Sequence, residues 1–120
     1  MADHNELGKR GEQIAVDHLK SKGYTILETN WRFKKAEVDI ICEKENILIF
    51  TEVKTRTDNH FGNPETSVSL QKQKLLVKAA GQYLFEKKQN KEIRFDIISI
   101  LLKTKSEIEH FEDAFFSRGE

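Results

Sequence analysis

The sequence predicts an α/β domain, a mixed central sheet flanked by helices in the order αβββαβ. Three observations carry that expectation. Apolar residues recur at helical spacing near the N-terminus and again from residue 70. Two β-branched runs face each other across the polar stretch EKEN, residues 43–46. A further apolar run, RFDIISILL at 94–102, follows the second helix as the return strand of a β-α-β crossover would.

Each element has its own local justification. Leu7, Ile14, Ala15, His18 and Leu19 share one helical face, and Gly23 supplies a stop, so residues 7–22 are expected to form an amphipathic helix. YTILETNWRF (24–33) is aromatic and β-branched, as a strand requires. In AEVDIICEKENILIFTEVKTR (36–56), a tight turn at Glu45 and Asn46 sets the hairpin register. That register places Ile41 opposite Phe50, Cys42 opposite Ile49, Val38 opposite Val53, Asp39 opposite Glu52 and Glu37 opposite Lys54. RTDNHFGNPETSV (56–68) reads as a long irregular connection, shaped by Phe61, Gly62 and Pro64. Ser69 is the expected N-cap of the second helix, with Leu70, Val77, Ala80 and Leu84 inward. After a break at residues 89–91, the run 94–102 is apolar on both faces and is expected to lie centrally, parallel to 47–55 with a right-handed crossover. The acidic end receives no element.

Composition narrows the function classes. A chain of 120 residues fits one domain, 1–120, and 38% hydrophobic with 33% charged residues indicates a globular chain without a membrane span. The opening MADHNELGKRGE has no apolar signal core, so a cytoplasmic location is expected. Cys42 is the single cysteine, which excludes an internal disulfide and a cysteine-rich zinc site; its neighbours imply a buried thiol. His4, His18, His60 and His110 have no metal-ligand spacing, although His60 falls in the loop beside the charged strands. Lys plus Arg (20) balances Asp plus Glu (20), yet Lys72, Lys74, Lys78, Lys87 and Lys88 cluster in one segment while the C-terminal stretch is acidic.

The charged residues inside the apolar hairpin point to chemistry. Two carboxylates opposed on neighbouring strands destabilise a sheet unless a cation intervenes. Lys54, two residues from Glu52 on the same face, can supply part of that charge; a divalent ion supplies more. Carboxylate oxygens with water suit Mg²⁺ or Mn²⁺, which leave positions for phosphate oxygens, and Lys54 can orient an attacking water. The plain alternative is an exposed Glu/Lys ladder of little energetic weight.

EVDII and FTEVKTR resemble motifs two and three of the PD-(D/E)XK nuclease superfamily, whose restriction-endonuclease-like core has the same αβββαβ order. Together with GKRGEQIA, GYTILETNWR, FGNPE, SLQKQKLLVKAAGQYL and RFDIISI, they resemble the YraN family of small bacterial proteins, itself similar to archaeal Holliday-junction resolvases. The resemblance implies metal ligation by Asp39 and Glu52 with the Val53 carbonyl, assistance by Lys54, and a further acidic role for Glu12. Glu12 reads equally as a carboxylate favoured by a helix N-terminus. Arg32, Lys34, Lys35, Arg56, Lys72 and Gln73 become candidate phosphate contacts. Glu37 is expected to pair with Lys54, Asp96 to pair with Arg94, and Trp31 to pack at the core or rim rather than stack on a base.

The implied activity is Mg²⁺- or Mn²⁺-dependent endonucleolytic hydrolysis of nucleic acid, with structured or branched DNA as substrate and a two-fold homodimer as the form that meets a junction. The alternative is a non-catalytic nucleic-acid-binding or adaptor module on a nuclease fold, serving a DNA-processing partner; the neutral net charge favours it. A third reading, a purely structural charge network, predicts that Asp39→Asn stabilises the fold.

Overall fold

The computed structural model describes residues 4–57 and 68–115, with side chains from Glu6 onward. The expected order appears with one addition: α1 (His4–Ser21), β1 (Thr25–Phe33), β2 (Ala36–Lys44), β3 (Ile47–Arg56), α2 (Leu70–Glu86), β4 (Glu92–Leu101) and β5 (Glu107–Phe115). The strands form one mixed sheet in sequential order, with β3 and β4 parallel and the other neighbours antiparallel. β5 is the element that sequence reading leaves out. Its exposed positions are Glu107, Glu109, Glu112, Asp113 and Ala114, four of the five acidic, so its strand character comes from pairing along β4 rather than from apolar alternation.

Each helix covers one face of the sheet. Ala15, Val16 and Leu19 of α1 pack with Ile40, Cys42, Ile49, Ile98 and Ile100. On the other face, Leu76, Ala79, Ala80 and Tyr83 of α2 pack with Val38, Ile41, Phe50, Phe95 and Ile97. β4 therefore feeds both cores, as its unbroken apolar run requires. Tyr83 anchors the α2 face by edge-on contacts with Trp31 (ring centroids 5.2 Å) and Phe50 (5.9 Å), which gives Trp31 the packing role expected of it. Ser69 caps α2 as expected, its Oγ accepting from the Lys72 backbone N–H at 3.2 Å. Leu70, expected inward, lies 51% exposed, and the buried face of α2 runs instead through Leu76, Ala79, Ala80 and Tyr83.

The hairpin turn has the predicted form: Glu45 (φ 53°) and Asn46 (φ 66°) both adopt the left-handed conformation that a two-residue connection of this kind needs. Its register is also as expected from Lys44↔Ile47 through Ile40↔Thr51, including Ile41↔Phe50 and Cys42↔Ile49. Beyond Thr51 the ladder stops. The expected oppositions of Val38 with Val53, Asp39 with Glu52 and Glu37 with Lys54 do not form as ladder pairs.

Candidate active site

The end of that ladder is where the charged residues gather, and a break in side-chain alternation explains it. Val38 and Ile41 belong to the α2-side core, whereas Ile40 and Cys42 belong to the α1-side core, so the alternation slips by one residue at Asp39 and Ile40. The matching position on β1 is Asn30, between the pairs Thr29↔Ile40 and Trp31↔Val38, and Asn30 has φ 53°. Asparagine tolerates that conformation better than most residues. Released from the ladder, the Asp39 carboxylate takes over the place of a strand partner: its Oδ2 accepts from the Val53 backbone N–H at 2.7 Å. β2 and β3 thus fork, with Asp39 at the crotch and Glu52 on the residue next to its hydrogen-bond donor.

On the α1 side the fork opens into a groove of about 630 Å³, lined by Glu12, Asn30, Arg32, Glu37, Asp39 and Val53 among others. Asn30 donates its amide to Glu12 Oε1 at 2.6 Å, tying α1 to β1, and Arg32 pairs with Glu37 at 3.5 Å. The close approach of α1 depends on Gly11, where a Cβ would stand 1.8 Å from Thr55 Oγ1. Asp39 is held at about 7, first by burial and then by the Glu52 carboxylate, with the Val53 N–H working in the opposite direction. Glu12 is also raised, chiefly by burial, although its bond from Asn30 pulls the other way. Two carboxylates therefore press on Asp39, the larger influence being Glu52.

Glu52 is 7% exposed, and its Oε2 lies 2.5 Å from Lys72 Nζ. Lys72 reaches it from the first turn of α2. Lys54, the sequence-predicted partner of Glu37, forms no ion pair among the described residues, because Glu37 is turned toward Arg32. Glu52, Lys54, Arg56 and Ser99 instead line a cleft of about 330 Å³ that shares Val53 and Thr55 with the first groove. Arg56 Nε is buried there without a hydrogen-bond partner among the described residues. A carboxylate pair, two cations without an ion-pair partner among the described residues and an open fork thus meet along the last residues of β3.

The match to a family model settles kinship: residues 11–100 fit the model described as uncharacterised protein family UPF0102. The chain belongs to that family. It is 55% identical over 117 residues to a UPF0102 protein of Flavobacterium psychrophilum, covering 97% of this chain and 98% of the relative. A UPF0102 protein of Christiangramia forsetii is 52% identical over the same shares, and one of Thermodesulfovibrio yellowstonii is 47% identical over 92% of this chain and 96% of its own. The small bacterial family that the sequence resembles is thus the family to which it belongs.

In this UPF0102 chain the predicted phosphate contacts fall into distinct places. Arg32 lines the first groove, and Arg56 the cleft beside Glu52. Lys34 and Lys35 form the tip of the β1–β2 hairpin, where Lys35 joins Lys72 around a smaller hollow of about 220 Å³. Gln73 is otherwise engaged, donating to the Val68 carbonyl at 2.8 Å and so fixing the entry into α2. His60, Phe61, Gly62 and Pro64 lie outside the described residues, as does the side chain of His4. Cys42 is fully buried, and burial pushes its thiol up to about 12, which leaves it inert as expected.

Sequence reasoning missed Lys72 as the partner of Glu52, Asn30 as the backbone device opposite Asp39, and the closeness of Gly11 to β3. A glycine inside the first helix and an asparagine inside the first strand were the available signals. It also missed the reach of the Asp96 network at the far end of the α1 face. Asp96, fully buried, accepts from Arg94 Nε and Nη2 at 2.9 Å each, meets His110 Nε2 at 2.7 Å, and accepts from the Asp113 backbone N–H at 3.0 Å. The Arg94–Asp96 pair expected from sequence is present as one part of it.

The donor set suits a hard divalent cation. Asp39 and Glu52 offer two carboxylates whose mutual repulsion a cation would relieve, and Mg²⁺ or Mn²⁺ commonly takes one or two carboxylates with water completing its shell. Among the described residues no three His, Cys, Asp or Glu side chains converge as a ready-made cage. The fit is to an open site whose remaining positions water would fill, with the Val53 carbonyl as a backbone candidate.

Proposed function

We propose that this chain is a Mg²⁺- or Mn²⁺-dependent phosphodiesterase acting on nucleic acid, with structured or branched DNA as its substrate. The observation that carries the reading is the fork between β2 and β3, where the Asp39 and Glu52 carboxylates crowd each other beside Lys54 and Arg56, which have no ion-pair partner among the described residues. Asp39 and Glu52 would hold the cation, with the Val53 carbonyl as a further ligand. A divalent cation bound there supplies Lewis-acid stabilisation of the charge that develops on the phosphoryl group. Lys54 orients the attacking water and meets that charge from the α2 side. Arg56 offers a donor to a phosphate oxygen in the same cleft, while Arg32 holds a neighbouring phosphate across the groove. Glu12 completes the acidic edge from α1. On a branched substrate, two copies of the chain related by a two-fold axis would present two such sites.

A second reading has specific observations in its favour. Lys72 already neutralises Glu52, and the chain carries no net charge, both of which suit a binding or adaptor module that has kept the fold without hydrolysis. A cleavage panel separates the two: labelled duplex, single strand, flap, four-way junction and RNA with Mg²⁺, Mn²⁺ or EDTA, comparing wild type with folded Asp39→Ala and Lys54→Ala variants. Cation-dependent products lost in both variants support the phosphodiesterase. A shifted band without products, unchanged by Asp39→Ala, supports the binding module and removes the catalytic reading.

A further inference from the structure

We propose that Lys72 is a resident stand-in for the divalent cation: its ammonium holds Glu52 in the cation-free protein and transfers to a nucleic-acid phosphate when the cation binds, coupling the two ligands. This deepens the proposed function and rests on Asp39 and Glu52 being the cation ligands.

The asymmetry of the ion pair is the starting point. Glu52 is fixed by its strand and only 7% exposed, whereas the Lys72 side chain is 45% exposed and reaches in from outside. A buried ionised carboxylate with no cation beside it is costly, and in the cation-free protein Lys72 is the positive charge that stands on Glu52. Lys54 is the nearer residue in sequence but leaves Glu52 to Lys72. Ser69 fixes only the Lys72 backbone, through the cap, so the flexible four-carbon stem is free to move its charge. Room for that movement exists in the hollow that Lys72 shares with Lys35, Gln71 and Leu75.

Lys72 is an incomplete substitute. A single positive charge faces two carboxylates, and Asp39 remains crowded by Glu52 although Lys72 acts on it favourably. A divalent ion relieves both at once and sets the ammonium free on the side of the site where Lys35 also stands, which is where an incoming phosphate meets two lysines around one hollow. Phosphate that attracts Lys72 vacates Glu52 for the cation, and cation that takes Glu52 releases Lys72 for phosphate. The coupling must be reciprocal, since each ligand changes the affinity of the other by the same factor.

The test is calorimetric titration of Mn²⁺ into the full chain as wild type, Lys72→Ala, Lys72→Met and Glu52→Gln, with and without a synthetic four-way DNA junction, the junction arms using the Lys54→Ala form of each protein so that Mn²⁺ does not cleave the DNA. Lys72→Met keeps the stem and removes only the charge, which guards against a packing defect. The expected result is Mn²⁺ affinity about tenfold higher in both Lys72 variants than in wild type, near loss of binding in Glu52→Gln, and an increase of about tenfold on adding junction in wild type alone, in the range of ordinary coupling. Equal or weaker Mn²⁺ binding in the Lys72 variants, with Glu52→Gln still defective, overturns the stand-in while leaving the cation site intact. Wild-type coupling that persists in Lys72→Met overturns it as well. Absence of Mn²⁺ binding in wild type and both Lys72 variants overturns the cation site itself, and this proposal with it.

Discussion

Asp39→Asn should stabilise the cation-free protein, and increasingly so as pH rises. Asparagine keeps an oxygen able to accept from the Val53 N–H at 2.7 Å while removing the charge that burial and Glu52 disfavour. The folded carboxyl titrates at about 7 against about 3.9 in an unfolded chain, so the folded state binds the extra proton between those values. A folded value raised in this way gives stability that is complete below the unfolded value and lost as pH rises through the folded one. At about 1.4 kcal/mol per pH unit, the ionisation penalty on folding is about 1.5 kcal/mol at pH 5 and about 4 kcal/mol at pH 8. Both are ceilings, because solvent screens a group that is only half-buried. The advantage of the Asn variant over wild type should therefore widen by up to about 2.5 kcal/mol between pH 5 and pH 8. Urea unfolding in EDTA at four pH values across that range measures it, and titrations shared by the two proteins largely cancel in the difference. A gap that stays constant, or an Asn variant less stable than wild type at pH 8, would refute the account of Asp39 as a buried carboxylate crowded by Glu52.

Three further outcomes follow from the same geometry. Mn²⁺ should raise the melting temperature of wild type but not of Asp39→Asn, and its affinity should fall about tenfold from pH 8 to pH 6 as Asp39 goes from about nine-tenths to about one-tenth ionised, readable by thermal shift or calorimetry. Gly11→Ala should cost about 1–3 kcal/mol despite the better helix former, because the new methyl meets Thr55 Oγ1 and Cβ at 1.8 and 2.8 Å; Thr55→Ala should restore part of the loss in chemical denaturation. Asp96→Ala should cost about 3–5 kcal/mol at neutral pH by stranding Arg94, His110 and the Asp113 N–H. Burial raises Asp96, but its bonds from His110, Arg94 and Asp113 outweigh that and hold it below the ordinary carboxylate range, so this stability is present above the unfolded value and lost as pH falls through the folded one; the deficit of Asp96→Ala should close in acid unfolding.

What could be read from sequence was whatever local pattern determines. The EKEN turn carries its own register, and the pairs from Lys44↔Ile47 to Ile40↔Thr51 followed from it. Alternation then misplaced Asp39, since strict period two put it on the face of Ile41, whereas the slip at Asp39 and Ile40 turned it toward the α1 groove. Nothing in AEVDII announces that slip; its cause lies across the sheet in the left-handed Asn30. Lys54 was expected to supply part of the charge that Glu52 needs, and Glu52 takes a cation from twenty residues away, because Lys72 reaches it from the first turn of α2. β5 was invisible because an acidic edge strand borrows its structure from β4. The residues of the candidate site were legible, then, and their partners were not, since partnership is set by contacts between elements distant in the chain.

The fork is held in shape because its two strands are paired from opposite sides. β3 stays paired with β4 to its last residue, Arg56↔Leu101, and the Leu102 N–H donates to the Arg56 carbonyl at 2.8 Å, so Glu52, Lys54 and Arg56 ride on a strand that is rigid where it parts from β2. β2 stays paired with β1 through Trp31↔Val38 and Arg32↔Glu37, so Asp39 is equally fixed. Only the seam between them is open. The hydrogen bond from the Val53 N–H to Asp39 crosses it at the crotch, joining the residue beside Glu52 to the carboxylate opposite. That arrangement keeps two mutually repelling carboxylates close without leaving either on a loop, and the cost of their repulsion falls on a seam that a cation can close. The charged residues embedded in ILIFTEVK are thus compatible with a stable sheet because the sheet ends, on one side only, where they begin.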